Sequence, residues 1–100
     1  MDDLTRSRLA HNAVIFRSIN EQVLTLEERF GSRDGGFVCE CADVGCVGTV
    51  FLRLDEYKRI HDDVRRFFVV PGHERPEIET VVEHHSNYLV VEMKIPIPQI

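Results

Sequence analysis

Apolar residues recur with a seven-residue spacing near the start of the chain, and they predict its longest element. The stripe consists of Leu9, Phe16, Ile19, Val23, Leu26 and Phe30, with Asn12 at the one polar position. It predicts an amphipathic helix over residues 6–30, ended by Gly31, because glycine readily takes the left-handed conformation that follows a helix. The stripe can cover a sheet of the same chain or form a helix–helix seam. Cover of a sheet is favoured, since this length is the lower limit for a coiled coil.

Alternating and continuous apolar runs predict the strands that follow. Residues 32–36 form a turn cluster, and residues 37–54 then predict a hairpin that carries the cysteines. Asp55 is a candidate N-cap for a short helix over residues 55–66. The run Phe67–Val70 is apolar on both faces, as in a central strand, and Pro71-Gly72 ends it in a turn.

The C-terminal region predicts a second hairpin within residues 67–94. With Ser86-Asn87 as its loop, the register pairs His84 with Leu89, Val82 with Val91 and Thr80 with Met93. One face then carries Ile78, Val82, Leu89, Val91 and Met93, and the other carries Glu79, Glu83, Glu92 and Lys94. Residues 95–100 hold two prolines, so they are expected to leave the ladder as an extended tail.

Together these elements predict one α+β domain over residues 1–100. Its long N-terminal amphipathic helix packs on a small, mostly antiparallel sheet of about five strands, with one short helix and a Cys3His zinc knuckle. The chain has 100 residues, with 43% apolar and 29% charged, which is typical of a globular domain. A core of this size is thin, so a metal staple would help it.

Charge and hydropathy argue against several classes of partner. The net charge is −5 and the pI about 5.5, whereas nucleic-acid binding depends on basic surfaces. The sequence shows no apolar run long enough to span a membrane and no signal-peptide pattern at its start. We therefore expect a cytoplasmic protein with neither nucleic acid nor membrane as its partner. An odd count of 3 cysteines agrees with reduced thiols.

All the cysteines lie in the segment CECADVGC as Cys39, Cys41 and Cys46. Cys39 and Cys41 stand two positions apart on a predicted strand and so point to the same face. Asp43 and Gly45 suit a tight turn that returns Cys46 to them. Three converging thiolates predict a Zn²⁺ site, and Cys3His is a common ligand set of structural zinc.

The fourth ligand is expected to be a histidine, and His73 is favoured. It follows Pro71-Gly72 in the segment PGHE, where a rigid turn holds the side chain. His84, on the apolar face of the predicted hairpin, and His85 are the alternatives, along with a water molecule. His11 lies near the start of the long helix, and His61 is expected to be solvated beside Asp62 and Asp63.

Other chemistries compete with structural zinc. The thiols could be unligated, or serve in redox sensing or an iron–sulfur cluster, although the segment that joins Cys and His in three-cysteine, one-histidine [2Fe–2S] proteins is absent. An open zinc site could use Glu40 or Glu74 as a base. Cys46 and His73 could form a nucleophilic pair, but no oxyanion hole is visible. Because a closed Cys3His set leaves no position for water, the protein is not expected to be an enzyme.

Four segments together resemble a group of small uncharacterised bacterial proteins. They read F-V-C-E-C-A-D-x-x-C, L-D-E-Y-K, R-F-F-V-V-P-G-H-E-R-P-E-I-E and Y-L-V-V-E-M-K, within residues 12–94. The resemblance implies no activity. It implies that the C-x-C-x4-C cysteines and His73-Glu74 belong to one arrangement, and it leaves out the tail IPIPQI.

The sequence thus predicts a small zinc-binding protein that acts by binding a protein partner. The partner is expected at the long helix or the tail, and a homodimer through the N-terminal helix is one form of it. The alternative is a thiol-based redox or metal sensor, and less favoured is a zinc-dependent enzyme.

Overall fold

The computed structural model describes residues 2–98. A long N-terminal helix, a short second helix and 5 antiparallel strands confirm the predicted α+β class. In chain order the elements are α1 (Asp3–Arg29), β1 (Asp34–Val38), β2 (Thr49–Arg53), α2 (Leu54–His61), β3 (Arg66–Val69), β4 (Glu79–His84) and β5 (Leu89–Met93).

Helix α1 begins and ends at residues that satisfy its free backbone groups. At its start the Thr5 N–H donates to the Asp2 carboxylate over 2.7 Å, and this cap lets the helix begin before the predicted residue 6. At its end Gly31 has a φ of 69°, and its N–H donates to the Glu28 carbonyl. The predicted role of Gly31 is confirmed.

The face that α1 buries differs from the predicted apolar stripe. The buried residues are Ala10, Ala13, Val14, Asn20 and Leu24. The alanines allow a close approach to the segment after β1, so the helix is rotated away from its larger apolar side chains. Ile19, Leu26 and Phe30 remain 42%, 52% and 76% exposed. The expectation that the stripe covers a sheet is therefore only partly right.

The five strands divide between two sheets instead of forming one. Strands β1 and β2 form an antiparallel pair that aligns Phe37 with Val50, and β3, β5 and β4 form the other sheet in that order. Strand β3 is thus an edge strand, although its sequence predicted a central one. The edge of β3 that faces away from β5 is nevertheless covered by the cysteine segment, since the Glu40 N–H donates to the Phe68 carbonyl over 3.0 Å.

Several element boundaries differ from the prediction. The expected turn at residues 32–36 lies partly in β1, which begins at Asp34 and ends before the cysteines. Helix α2 starts one residue before Asp55, with Arg53 at its N-cap and no side-chain cap, and it ends at His61. Val64, inside the predicted helix range of 55–66, lies beyond the helix and is exposed.

The C-terminal hairpin keeps the predicted loop but not the whole register. His84 pairs with Leu89 as expected. A bulge at Val82 then shifts β4 by one residue, so the expected pairs of Val82 with Val91 and of Thr80 with Met93 are wrong. Val81 pairs with Val91 instead, and Glu79 pairs with Met93. A one-residue shift exchanges the two faces of a strand, which is why Glu79 is buried and Val82 is exposed.

Two groups of buried side chains form the core. One joins the first half of α1 to the cysteine segment and the three-stranded sheet, and the other joins Leu24, β1, β2 and α2 around Tyr57. In the tail, Ile95 and Ile97 leave the ladder and pack half-buried on the first group. Gln99 and Ile100, the end of the predicted tail, lie outside the described residues. Among residues 2–98, no helix is both long and apolar enough to cross a membrane.

Candidate metal centre

The segment from Cys39 to Cys46 forms a tight knuckle between β1 and β2. Ala42 takes a positive φ of 71°, which turns the chain after Cys41. The Asp43 carboxylate accepts the Gly45 N–H at 2.9 Å, and the Asp43 carbonyl accepts the Cys46 N–H at 2.9 Å. These bonds return Cys46 to the other cysteines, as the residues of the turn predicted.

A second tight turn, after β3, carries His73. Its N–H donates to the Val70 carbonyl over 2.9 Å, and Gly72 has a φ of 94°. Glu74 closes the turn by accepting the Gly72 N–H at 2.8 Å. The backbone around the histidine is therefore defined by hydrogen bonds on both sides.

The two turns bring Cys39, Cys41, Cys46 and His73 together. Their candidate ligand atoms all lie within 4.8 Å of one another. His73 Nδ1 is 3.7 Å from Cys39 Sγ and 3.4 Å from Cys46 Sγ. A tetrahedral zinc with bonds of about 2.3 Å to sulfur and about 2.0 Å to nitrogen requires S···N separations of about 3.5 Å. The two S···N distances therefore suit a tetrahedral metal ion, and all four side chains are close enough together to bind one.

Each sulfur accepts a hydrogen bond from the backbone. Val70 N–H donates to Cys39 Sγ over 3.2 Å, Gly48 N–H donates to Cys46 Sγ over 3.3 Å, and the Asp43 N–H bonds Cys41. Such bonds stabilise the thiolate, which is the form that ligates metals. Residue 48 is also a glycine for a steric reason, because a Cβ at this position would lie only 3.0 Å from a Val70 methyl group.

The buried cysteine pair shares its protons unequally. The pKa of Cys41 is lowered to about 5, chiefly by the hydrogen bond with Cys39 and also by the Asp43 N–H and His73. The same hydrogen bond with Cys41, together with burial, raises the pKa of Cys39. The hydrogen bond thus favours the thiolate form of Cys41 over that of Cys39, and a cation that binds both sulfurs would displace the remaining proton.

Exposure increases from the sulfurs to the imidazole. Cys39 and Cys41 are buried, Cys46 is half-buried and His73 is exposed. Beside the group lies an open cavity of about 270 Å³, lined by Cys41, Asp43, Gly72, His73, Glu74 and Arg75. Arg75 lies against the group because its Nε donates to the Cys41 carbonyl over 3.1 Å.

The other histidines have different surroundings. His11 and His84 are exposed, and His85 stacks on Tyr88 and contacts Glu83. His61 was expected to be solvated, but its side chain is only 5% exposed and its Nε2 lies 3.0 Å from Glu40. His61 stands four residues after Tyr57 and so shares its helix face, a spacing that the sequence already showed.

The carboxylates considered as bases have other partners. Glu40 is fully buried and accepts hydrogen bonds from Asn20 and from the Phe68 backbone, while Glu74 closes the turn before His73. Sequence reasoning missed Asn20, which binds the Val38 backbone through both its carbonyl and its amide group. The signal available was a polar residue beside an apolar stripe, which is common on any helix.

Comparison with known proteins adds no assignment to this site. No family model matches the chain, and searches of curated proteins and of solved structures returned no match. The chemistry of the site is therefore argued from its own residues.

Proposed function

We propose that Cys39, Cys41, Cys46 and His73 bind one Zn²⁺ ion as a structural site. The observation that carries this proposal is the convergence of three sulfurs and one imidazole nitrogen within 4.8 Å. Thiolate and imidazole are the donors that zinc prefers, and a set of four protein ligands is typical of structural zinc. In a reducing compartment such as the cytoplasm these thiols stay available to the metal.

Metal analysis tests this proposal. The protein is purified without added metal, and its metals are measured by mass spectrometry together with its folded state. We expect one zinc per chain. A folded protein that holds clearly less zinc than one per chain, and no iron, contradicts the proposal. Iron in place of zinc would instead favour an iron–sulfur redox centre.

We also propose that the domain is not catalytic and acts by binding protein. A closed set of four protein ligands leaves no position for a metal-activated water. The carboxylates of Glu40 and Glu74 accept backbone or side-chain hydrogen bonds, so neither is free to act as a base. What the domain offers a partner is the apolar surface of α1.

The partner that this surface fits best is a second copy of the chain. Exposed apolar side chains follow each other along one side of α1 at the spacing of a helix seam, namely Ile15, Ile19, Leu26 and Phe30. Exposed apolar surface of this kind often marks an interface, and two-fold homodimers are the commonest assembly. The rival is a monomer that leaves this face in water, and light scattering separates the two.

The alternative function is a thiol-based redox or metal sensor. The observation in its favour is that Cys46 is half-buried, whereas Cys39 and Cys41 are buried. An accessible thiolate is open to oxidation by peroxide. Zinc release measured with a colorimetric chelator under mild peroxide distinguishes the functions. A structural site retains its zinc, and a sensor releases it and regains it after thiol reduction.

A further inference from the structure

Glu40 lies between two proposed metal ligands, but its carboxylate binds other parts of the protein. The side chain is fully buried, with 0% of its surface exposed. Its Oε1 accepts the Phe68 N–H from β3 at 3.1 Å. Its Oε2 accepts the Asn20 amide from α1 at 2.9 Å and lies 3.0 Å from His61 Nε2 on α2. Three elements thus meet at one carboxylate.

The partners of Glu40 are themselves held in place. The Asn20 amide also donates to the Val38 carbonyl over 2.9 Å and accepts the Val38 N–H at 2.9 Å. The His61 ring packs against Tyr57, with 4.7 Å between the ring centroids. The Glu40 backbone N–H donates to the Phe68 carbonyl over 3.0 Å. Both the side chain and the backbone of residue 40 therefore have fixed positions.

We propose that Glu40 is the positioning residue of the metal centre. The Cys39 N–H donates to the Gly48 carbonyl and the Glu40 N–H to the Phe68 carbonyl, so the backbone on either side of this bond faces different elements. Fixing the Glu40 side chain between them sets the direction of the sulfurs on both sides of it. Glu40 touches neither the metal position nor a ligand nitrogen, and it acts through the backbone that carries Cys39 and Cys41. The inference rests on the proposed metal binding and extends it to the interior of the protein.

The position requires a carboxylate because both of its oxygens accept hydrogen bonds. A glutamine has the same shape but only one acceptor oxygen, and its NH₂ group would face an N–H of Asn20 or of Phe68. A buried donor that faces another donor is costly, and the strain is relieved by movement of residue 40. Such movement turns both neighbouring sulfurs away from their common centre.

Cobalt titration of Glu40→Gln tests the inference, because tetrahedral Co²⁺ bound by thiolates absorbs visible light and reports the geometry of its ligands. Wild type, Glu40→Gln and Leu24→Ala are titrated with Co²⁺ alone and then displaced with Zn²⁺. Leu24 is buried in the core group around Tyr57, which does not include the cysteines, so Leu24→Ala controls for lost stability. We expect Glu40→Gln to bind about 10- to 100-fold more weakly, with shifted visible bands. Leu24→Ala should keep the wild-type spectrum.

Each outcome decides the inference. If Glu40→Gln has the spectrum and affinity of Leu24→Ala, the inference is wrong and metal binding by the four side chains stands. If wild type shows no thiolate–cobalt band, both proposals are wrong. Where Glu40→Gln fails to fold even with saturating Co²⁺, Asn20→Ala takes its place, since it removes one donor to Glu40. An unchanged spectrum and affinity in that variant overturns the inference.

Discussion

Removal of the metal should destabilise this protein severely, because two of the proposed ligands, Cys39 and Cys41, lie within its core. Cys39 and Cys41 pack with the first half of α1 and with β3, and the knuckle supplies the Ala42 carbonyl that accepts the Asn12 amide at 3.1 Å. Three sulfurs this close to one another also repel when they are ionised, so the knuckle must take up protons when the metal leaves. The packing of α1 on the knuckle therefore depends on metal binding.

The magnitude follows from ligand linkage. A ligand that binds only the folded state at about 1,000 times its Kd stabilises that state by about 4 kcal/mol. In a domain of this size about 1 kcal/mol moves the melting temperature by roughly 4–8 °C. Chelation should therefore lower the melting temperature by about 16–32 °C, or unfold the protein outright.

The assay compares thermal melting with and without a chelator at constant ionic strength, with zinc measured in the same samples. Cys46→Ser is the matched variant, because it removes a half-buried ligand and leaves the two buried sulfurs in place. It should melt near the chelated wild type and respond little to the chelator. An unchanged wild-type midpoint, in protein shown to have lost its zinc, refutes the reasoning.

Three further predictions concern the fourth ligand, the interface and pH. His73→Ala should weaken zinc binding strongly in a competition assay with a chelating dye, whereas His84→Ala, at an exposed position away from the sulfurs, should match wild type; equal weakening would show that His73 is not a ligand. Phe30→Asp should convert a dimer into a monomer by light scattering at micromolar concentration, since the side chain is 76% exposed in one chain; a mass near 11.6 kDa for wild type at every concentration contradicts the dimer. The hydrogen bonds from Arg59 are the main cause that lowers the pKa of Glu83 from 4.5 to about 2, so the ion pair stabilises the fold above pH 4.5 and this is lost as the pH falls towards 2. The melting temperature of wild type should accordingly approach that of Glu83→Gln over this pH range, and a difference that stays constant speaks against the pair.

Local patterns predicted the turns, and the grouping of the three cysteines with His73, correctly where the physics is local. Gly31 ends α1, the knuckle turn forms around Asp43, and the PGH turn holds His73, because each depends on a few neighbouring residues and their backbone hydrogen bonds. The α+β class follows from the same local signals. The convergence of His73 with the cysteines was predicted from donor chemistry, since a thiolate cluster needs a fourth donor.

The tertiary structure decided which faces are buried and what the polar residues bind. The periodicity of α1 predicted a stripe, but the two alanines determine how closely the helix approaches, so Asn20 is buried and Leu26 is exposed. The bulge at Val82 changes the register of β4, although β4 contains no glycine or proline that would predict a bulge from the sequence. Both depend on contacts between residues far apart in the chain.

The amino-acid sequence by itself therefore determined the elements, the thiolate cluster and its preferred histidine. Only the tertiary structure showed that Glu40, which could serve as a base only in an open zinc site, is a buried acceptor for Asn20 and Phe68. The physical reason is that a buried carboxylate must find donors, and those donors come from a helix and a strand whose approach no local pattern specifies.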